Sequence, residues 1–376
     1  MRKKILICAG GTGGHIYPAL AVVECIKEKY PRSEISFIGS ERGPGAELMS
    51  GYNVSYRTVK SCGLVLNVSM AGKILNTMKF IYFLIYGFFQ SLRIVLNFKP
   101  DIILGMGGYI CAPVLLAGIF TAKKIALHEQ NYIPGRLNSF FSKFAKYIFI
   151  SFSDTEKYLR VRKNRVFFTG NPLRKIMRES DKNGFKFKKW GLEEGKFTVV
   201  AFGGSLGAEN INNAIMNLYS YIRNDEKIQI LLIPGRRFFK EVDNNKKNII
   251  NPGDKLIFKI FEYINEMNEI YKLSDLVVSR AGANTISEII EYNIPSILVP
   301  YPHAVANHQY YNANYLAERG KAVLVNDNEL DGKKVYGILK MLARDNWKKY
   351  KEIKGTKIEG SGTDSAGIIA SGLMED

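Results

Sequence analysis

The 376-residue sequence has few of the residues that build disulfides and metal sites. Its four cysteines, Cys8, Cys25, Cys62 and Cys111, include no CxxC pair and no zinc-ligand spacing. Cys8 lies inside an apolar run, which is typical of a reduced core thiol. The four histidines are widely separated and show no HxxxH spacing. The sequence therefore indicates a reduced, cytoplasmic protein and predicts no metal site.

Three common nucleotide-binding signatures are also missing. No Lys-Ser/Thr pair follows a glycine-rich run at the spacing of a Walker loop. The dinucleotide pattern GxGxxG fails, because Ile16 stands at the third glycine position counted from Gly11. No Asp-x-Asp sequence, the usual acidic holder of a nucleotide-bound metal, occurs. These absences argue against a nicotinamide or flavin enzyme, and we predict no cofactor.

Acidic residues are scarce relative to basic ones. The chain has 35 Asp and Glu against 53 Lys and Arg, which gives a formal net charge of +18. Such a charge indicates either a well-solvated basic surface or an anionic partner. The candidate partners are nucleic acid, a phosphate-bearing substrate and an anionic membrane surface.

Long apolar runs are missing as well. Five apolar residues follow the basic N-terminus, too few for a signal peptide, so we expect no export. The segment 79–98 contains ten consecutive apolar or glycine residues, whereas a membrane-spanning helix needs about 20. A buried helix is one interpretation. The aromatic residues surround this helix instead of forming one stripe, and basic residues flank it, which favours contact with a bilayer surface. The predicted membrane contacts are Phe80, Phe83, Tyr86 and Phe88.

Short apolar runs alternate with helix-like segments along the whole chain, which predicts doubly wound parallel α/β sheets. A strand followed by Gly-Gly-hydroxyl-x-Gly and a helix occurs at 10–14 and again at 203–207. Two such turns imply two similar domains, with a hinge at 170–172, just after a further predicted strand in RVFFTG (165–170). The predicted strands are 5–9, 35–38, 102–104, 124–127, 147–150, 198–202, 228–233, 276–279, 296–299 and 322–325, and the predicted helices include 16–29 and 208–222.

The glycine turns suit a phosphate or sugar ligand. Glycines let a ligand approach the backbone, and the following helix N-terminus offers free N–H groups and positive potential. Each histidine (15, 128, 303 and 308) lies at a predicted strand end or helix start, where ligands bind in open α/β sheets. Glu129 follows a buried strand and is either a site residue or a turn carboxylate. Glu288 is either a ribose-binding carboxylate or a solvent-facing helix residue.

Seven ordered motifs carry a family resemblance. They are GGTGGHIYPA (10–19), GMGGYICAP (105–113), LHEQN (127–131), GNPLR (170–174), GGSLGA (203–208), SRAGANTISE (279–288) and NHQYYNA (307–313). In order and spacing, the chain resembles the MurG family of bacterial peptidoglycan glycosyltransferases.

The resemblance implies an α/β GT-B fold, with two Rossmann-like doubly wound parallel-sheet domains facing a cleft. Residues 1–169 would bind the acceptor and the membrane, and residues 170–354 would bind the donor. A C-terminal helix of about 355–376 would pack back on the first domain. The implied reaction is an inverting transfer of N-acetylglucosamine from UDP-N-acetylglucosamine to the C4 hydroxyl of undecaprenyl-pyrophosphoryl-N-acetylmuramyl-pentapeptide. It would occur at the cytoplasmic face of the cell membrane, on an anionic inner-leaflet surface, with no metal, no cofactor and no nucleic acid partner.

The resemblance also assigns site residues. His15 is our preferred base or proton relay, with Glu129 as the rival. Two departures affect side-chain contacts: Leu206 replaces a glutamine that is common in the second turn, and His308-Gln309 replaces paired glutamines. The implied donor contacts are Thr12, Gly13, Gly14, Asn131, Arg174, Ser205, Ile264, Ala283, Asn284, Thr285, Ile286, Ser287, Glu288 and Gln309.

Three other functions stay open at this point. One is another GT-B enzyme with a lipid acceptor, such as a diacylglycerol glycosyltransferase. A second is a UDP-sugar epimerase of the same fold, which needs no acceptor. The third is a non-catalytic basic protein of the membrane surface or of nucleic acid, which predicts no binding of UDP.

Overall fold

The computed structural model describes residues 2–11, 13–41, 45–63, 69–159, 161–178 and 187–375. The chain divides into two units. The first comprises Met1–Lys175 together with Thr363–Asp376, and the second comprises Ile176–Gly362. Each unit has a parallel sheet and a hydrophobic core of its own.

The first unit alternates strands and helices, as the sequence predicts. Apolar runs such as Ile5–Cys8 are wholly buried, because helices cover both faces of a parallel sheet. The elements are β1 (Lys4–Cys8), α1 (Gly13–Lys29), β2 (Glu34–Gly39), α2 (Gly45–Ser50), β3 (Ser55–Thr58), α3 (Met70–Phe98), β4 (Ile102–Gly105), α4 (Cys111–Phe120), β5 (Lys124–Glu129), α5 (Arg136–Phe141), β6 (Tyr147–Ile150) and β7 (Val166–Phe168).

The described strands of the first unit form one seven-stranded sheet in the order β3-β2-β1-β4-β5-β6-β7, with parallel pairing throughout. The strand order reverses between β1 and β4, where Ile7 pairs with Leu104. In open α/β sheets, ligands bind outside the carboxyl ends of the strands at such a reversal. The first glycine turn follows β1 at this point.

The second unit repeats the arrangement. Its elements are α6 (Lys175–Arg178), β8 (Phe197–Phe202), α7 (Glu209–Ile222), β9 (Ile228–Ile233), α8 (Phe239–Ile249), β10 (Ile257–Ile260), α9 (Met267–Leu273), β11 (Leu276–Ser279), α10 (Ala283–Glu291), β12 (Ser296–Leu298), α11 (His308–Glu318), β13 (Ala322–Leu324) and α12 (Gly332–Gly355). The sheet order is β10-β9-β8-β11-β12-β13, again parallel. The reversal lies between β8 and β11, so the second glycine turn has the same topological place as the first.

The last helix, α13 (Ser365–Met374), belongs to the first unit. Its apolar face, including Ile369 and Leu373, joins the core that α1 covers. The side chain of Asp364 caps the helix by accepting from the backbone N–H of Gly367, and it pairs with Lys29 at 2.8 Å. The helix is shorter than the segment 355–376 that the sequence suggests, because α12 continues to Gly355 and a turn follows it.

Helix α3 is unlike the other helices of its unit. Among the described residues, it is the one helix, over Gly72–Phe98, that is long and apolar enough to cross a membrane by length and composition. Only 22% of its most apolar stretch is buried. Its C-terminal half packs into the unit through Gly87, Ser91 and Val95, whereas its N-terminal half exposes apolar side chains. The alternative of a wholly buried helix is therefore wrong.

The two parallel sheets confirm the predicted fold class, and the predicted strands agree with the structure to within two residues at either end. Two strands were not predicted, namely β3 and β10. Each lies at the edge of its sheet. Both are short and partly exposed, so their apolar signal is weak.

Candidate active site

The first glycine turn brings two backbone segments into contact. The N–H of Gly10, after β1, donates to the carbonyl of Gly107, after β4, at 3.3 Å. A Cβ added at Gly108 would lie 2.7 Å from the carbonyl oxygen of Gly10, so neither segment tolerates a side chain there. Gly11 has φ +83°, and an added Cβ would meet no atom within 4 Å. Thr12 lies outside the described residues, and Gly13 and Gly14 begin α1.

His15, in the first turn of α1, lies against the second of these segments. Its Nδ1 is 3.0 Å from Oε1 of Gln130. A Cβ added at Gly107 would lie 2.9 Å from Nδ1 and from Cε1 of the imidazole, so the ring rests directly on this glycine. The side chain of His15 is partly exposed. The structure therefore presents a held imidazole at the carboxyl edge of the sheet.

Gln130 also connects to a second, buried histidine. Its Nε2 donates to the carbonyl of Met106 at 2.6 Å and lies 3.0 Å from Nδ1 of His128. Nε2 of His128 is 3.3 Å from the carbonyl oxygen of Gly170. Burial lowers the pKa of His128 to about 4, so this imidazole stays neutral at physiological pH. Nothing in the composition marks Gln130 as a site residue, and its position in the HEQN motif was the available signal.

Glu129, the last residue of β5, is 2% exposed and engaged at both carboxylate oxygens. Oε1 accepts from the backbone N–H and the side-chain amide of Asn131, at 2.9 and 3.3 Å. Oε2 accepts from the backbone N–H of Gly135 at 3.0 Å and from the amide of Asn138 at 2.7 Å. A buried carboxylate with four such bonds orders the loop that leads into α5. This geometry favours the turn-carboxylate interpretation of Glu129 over that of a proton acceptor.

Arg174 lies at the end of the first unit and contacts α1. Its guanidinium stacks over the ring of Tyr17 with 5.0 Å between the guanidinium carbon and the ring centroid. The next residue, Lys175, is bound through its backbone N–H to Glu24 and through its ammonium group to Glu28. These contacts fix the segment that includes Arg174 along α1. The Arg174 contact is with Tyr17, which is two residues after His15 in that helix.

The second glycine turn, between β8 and α7, packs against its neighbour through backbone atoms. Gly204 has φ +87° and open space around an added Cβ, as at Gly11. A Cβ added at Gly207 would lie 2.1 Å from the carbonyl oxygen of Pro234, so this turn also packs backbone against a neighbouring turn. The side chains of Ser205 and Leu206 are exposed, Leu206 by 79%. The turn thus offers a hydroxyl and backbone groups to a ligand.

Helix α10 follows β11 at the reversal point of the second sheet. Its N-cap residue is Gly282, which has no side chain to cap the first N–H groups. Such an uncapped N-terminus favours an anion. The predicted donor residues form its first two turns: Ala283, Asn284, Thr285, Ile286, Ser287 and Glu288. Of these, Ala283 and Ile286 are buried in the core, and the hydroxyl of Ser287 bonds within the helix to the carbonyl of Ala283.

The carboxylate of Glu288 is oriented by a buried tyrosine. The hydroxyl of Tyr271 donates to Oε2 of Glu288 at 2.7 Å. Burial and the neighbouring carboxylate raise the pKa of Tyr271 well above its ordinary value, so the phenol keeps its proton. Tyr271 in turn stacks on Tyr292, with 5.3 Å between the ring centroids. Glu288 is therefore a positioned carboxylate and not a mobile solvent-facing one.

Three further segments follow the carboxyl ends of strands in the second sheet. Oε1 of Gln309, in the first turn of α11, accepts from the backbone N–H of Tyr301 at 3.0 Å. Arg280, directly after β11, pairs with Asp327 and donates to the carbonyls of Val299 and Pro300, which ties the loop after β12 to the sheet. Ile264, after β10, is 5% exposed, so its side chain belongs to the core.

The four predicted membrane contacts differ in exposure. Tyr86 is exposed on α3, whereas Phe80, Phe83 and Phe88 are half-buried. The other exposed apolar residues of α3 between positions 74 and 89 lie on neighbouring helix positions. They are Ile74, Leu75, Met78, Ile81, Tyr82, Ile85 and Phe89. Phe120, at the end of α4, packs on Phe88 and is itself 73% exposed.

The described ranges of the chain contain no group of three or more His, Cys, Asp or Glu side chains that could hold a metal ion. The candidate chemistry therefore consists of one held imidazole, one positioned carboxylate, two glycine turns and the uncapped start of α10. These groups suit proton transfer and the binding of an anionic ligand.

Comparison with known proteins covers both units. Residues 5–150 match the glycosyltransferase family 28 N-terminal domain, and residues 198–363 match the glycosyltransferase family 28 C-terminal domain. The UDP-N-acetylglucosamine–N-acetylmuramyl-(pentapeptide) pyrophosphoryl-undecaprenol N-acetylglucosamine transferase of Halothermothrix orenii is 34% identical over 362 residues, which cover 95% of each chain. The transferase of the same name from Bacillus subtilis is 36% identical over 332 residues, 88% of each chain.

A solved structure gives the same result for the fold. The crystal structure of Acinetobacter baumannii MurG superposes with a TM-score of 0.75 and 21% identity, and the match covers 99% of each chain. At this identity the likeness bears on the fold, and it confirms the predicted GT-B class.

Proposed function

Because the chain belongs to glycosyltransferase family 28 and, within it, to the UDP-N-acetylglucosamine–N-acetylmuramyl-(pentapeptide) pyrophosphoryl-undecaprenol N-acetylglucosamine transferases, we propose that it catalyses the reaction of that name. It transfers N-acetylglucosamine from UDP-N-acetylglucosamine to the C4 hydroxyl of the lipid-linked muramyl sugar, with inversion at the anomeric carbon. The observation that carries the proposal is that the similarity to these transferases extends over both units and 95% of the chain.

The first unit binds the acceptor and supplies the base. As the C4 oxygen attacks the anomeric carbon, its proton passes to the imidazole of His15, and the bond from that carbon to the diphosphate breaks. This role is supported by the place of His15 beside a glycine turn at the sheet reversal and by its contact with Gln130. Glu129 orders the adjoining loop through its four hydrogen bonds, so the two carboxylate oxygens keep the loop in place while His15 moves the proton.

The second unit binds the donor, UDP-N-acetylglucosamine. Glu288 accepts hydrogen bonds from the ribose hydroxyls, and Ser205 and the start of α10 face the diphosphate, where negative charge grows as UDP leaves. Ile264 meets the uracil through its backbone. Support comes from the uncapped N-terminus of α10 and from the Tyr271 hydroxyl that orients Glu288. Gln309 and, in the first unit, Asn131 and Arg174 complete the proposed donor contacts together with the glycines that begin α1.

The test is product analysis with purified protein. UDP-N-acetylglucosamine and a short-chain, water-soluble analogue of the muramyl-pentapeptide lipid should give UDP and a disaccharide product with a β linkage. Activity should survive EDTA, since the proposed chemistry uses no metal. Conversion of UDP-N-acetylglucosamine to an epimer in the absence of acceptor would contradict the proposal, as would transfer to diacylglycerol instead of the muramyl lipid.

The protein meets its lipid-linked acceptor at the cytoplasmic membrane surface, as a peripheral protein. The exposed apolar side chains of α3 supply the contact, and the exposed Lys73, Lys79 and Arg93 on the same helix attract anionic lipid at about 1 kcal/mol per charge near the surface. Tyr82 is 63% exposed and stacks on Tyr86, so these two rings form one apolar surface.

Vesicle sedimentation tests this contact. Replacing Leu75 and Tyr82 with Ser should release the protein from anionic vesicles and weaken turnover of membrane-embedded acceptor, while the short-chain acceptor is used as before. The matched control replaces Phe167 and Ile368, two exposed apolar residues of the same unit outside α3, and should leave sedimentation unchanged. High salt should weaken binding, because it screens the basic residues. Equal sedimentation of the α3 variant and the parent would show that the contact lies elsewhere.

A further inference from the structure

A chain of side-chain contacts links the partly exposed His15 to the buried end of the first unit. It runs from Nδ1 of His15 to Oε1 of Gln130 at 3.0 Å, and from Nε2 of Gln130 to Nδ1 of His128 at 3.0 Å. It ends where Nε2 of His128 meets the carbonyl oxygen of Gly170 at 3.3 Å. Two backbone carbonyls, those of Met106 and Gly170, contact this series of side chains, and they determine which nitrogen carries each ring proton.

The carbonyl of Met106 fixes the orientation of the Gln130 amide. A carbonyl oxygen can only accept, so the amide atom 2.6 Å from it must be the nitrogen. Oε1 of Gln130 therefore faces His15. Because this oxygen can only accept, Nδ1 of His15 must carry a proton, and in the neutral imidazole Nε2 then carries the lone pair.

The other amide proton of Gln130 fixes His128 in the opposite tautomer. It points to Nδ1 of His128, which therefore accepts, so the proton of this ring is on Nε2 and is donated to Gly170. His128 is fully buried, and its lowered pKa keeps it neutral, which preserves this arrangement. The ring of His15 also lies close to Gly107, where an added Cβ would be 2.9 Å from Nδ1 and Cε1.

We propose that Gln130 is a positioning residue that holds His15 as the Nδ1–H tautomer, so that Nε2 receives the proton of the attacking hydroxyl. The inference rests on the proposed function for the role of His15 as base. An amide suits this task because its oxygen accepts from both the neutral imidazole and the imidazolium, yet it carries no charge. A carboxylate in its place would stabilise the imidazolium and hinder release of the proton. The opposite tautomer would oppose two lone pairs at Nδ1 and Oε1, and it would place the proton on the nitrogen that must accept.

Nitrogen NMR of the histidine rings tests the tautomers without any substrate. The protein has four histidines, so ¹⁵N-histidine labelling gives four ring systems, which single substitutions can assign. At neutral pH, His15 should show a protonated Nδ1 and an unprotonated Nε2, and His128 should show the reverse. A protonated Nε2 in His15 of the parent protein would overturn the proposal, even if no variant folds.

The variant Gln130→Met removes the amide at nearly constant volume, and Gln229→Met is its matched control. Gln229 is likewise buried and makes three hydrogen bonds, to the backbone N–H and carbonyl of Glu193 and to the hydroxyl of Thr198, but it lies in the second unit. Both variants should lose stability to a similar extent. Only Gln130→Met should shift His15 toward the Nε2–H tautomer and lower kcat by roughly 10- to 100-fold, with the donor KM within about twofold, because a misplaced tautomer removes proton transfer and not binding.

The two readouts separate this inference from the proposed function. If His15 keeps its tautomer in folded Gln130→Met, Gln130 is not the positioning residue, whatever the activity. If the tautomers change as expected but the parent protein makes no disaccharide, the proposed function fails and the assignment of the ring protons stands. Equal loss of kcat in Gln130→Met and Gln229→Met would also overturn the proposal, because it would indicate a general loss of stability.

Discussion

The two glycine turns occupy the same topological place in their sheets but present different chemistry. The first is followed within α1 by His15, whose ring is held by Gln130 and rests on Gly107. The second is followed by a helix whose first turn has no histidine, and its exposed residues are Ser205 and Leu206. The two turns share a topological place, and their proposed roles differ because of the side chains that each carries. We expect substitutions in the first turn to act mainly on kcat and those in the second mainly on the donor KM.

The largest effect is expected from removing the imidazole. His15→Ala should lower kcat by roughly 10²–10⁴, the usual contribution of general acid–base catalysis. Donor binding, measured by calorimetric titration with UDP-N-acetylglucosamine, should stay within about threefold of the parent and serves as the internal control. If Glu129→Gln lowers kcat more than His15→Ala does in folded protein, the roles assigned to these two residues must be exchanged.

Acid should destabilise the first unit before the second. The pKa of His128 is lowered from 6.5 to about 4 in the folded protein, so between these values the unfolded chain binds a proton that the folded chain does not. The free energy of unfolding therefore has its full value above about pH 6.5, and it decreases by roughly 3 kcal/mol as the pH approaches 4.

Two measurements check this acid sensitivity. Both tryptophans, Trp190 and Trp347, lie in the second unit, so their fluorescence reports that unit alone. Calorimetry of the whole chain should show a transition whose midpoint temperature decreases as the pH is lowered from 6.5 to 4. The fluorescence transition should show no matching decrease. In His128→Asn, which lacks the titrating group, the slope of stability with pH should flatten over that range. An unchanged slope would remove His128 as its cause.

The donor carboxylate should give a smaller effect. Each charge-assisted bond contributes roughly 1.5–3 kcal/mol, so Glu288→Ala should raise the donor KM by at least about tenfold with kcat little changed. Donor analogues that lack a ribose hydroxyl should discriminate less in this variant. Glu291→Ala is the matched control, because Glu291 lies on the same helix and pairs with Arg178. Equal effects of the two substitutions would remove Glu288 from the proposed site.

The structural features that can be predicted from the sequence are those with a strong local pattern. Central strands are continuous apolar runs, and the glycine turns are recognisable because few other residues adopt their backbone angles. The edge strands β3 and β10 escape prediction, since a strand with one neighbour is half exposed and mixes polar with apolar residues. The orientation of α3 escapes too. Aromatic residues surround this helix, so its sequence does not show which face points to the core. In the folded chain Phe80, Phe83 and Phe88 are half-buried, whereas Leu75, Met78 and Tyr82 are exposed.

The role of Gln130 could not be predicted from sequence for a different reason. His15 and Gln130 are 115 residues apart in sequence. They meet because β1, β4 and β5 lie side by side in a parallel sheet, so that the carboxyl ends of β1 and β5 are at the same edge. Glutamine is common on surfaces, so its type carries no signal. Glu129 shows the converse: a charged residue after a buried strand predicts a catalytic role, whereas its four hydrogen bonds favour a role in ordering a turn.

The smallest effects should come from the turns themselves, through a matched pair of glycine substitutions. Gly11 and Gly204 have φ values of +83° and +87°, and an added Cβ at either would meet no atom within 4 Å. Alanine at each should therefore cost a similar strain, about 1 kcal/mol of stability, without a clash. Gly204→Ala should raise the donor KM by about three- to tenfold, because its methyl group occupies the space that a phosphate would approach. Gly11→Ala should instead lower kcat by about three- to tenfold, since the turn sets the start of α1 and hence the imidazole of His15. Equal changes in the same kinetic constant would mean that the two turns serve one ligand in the same way.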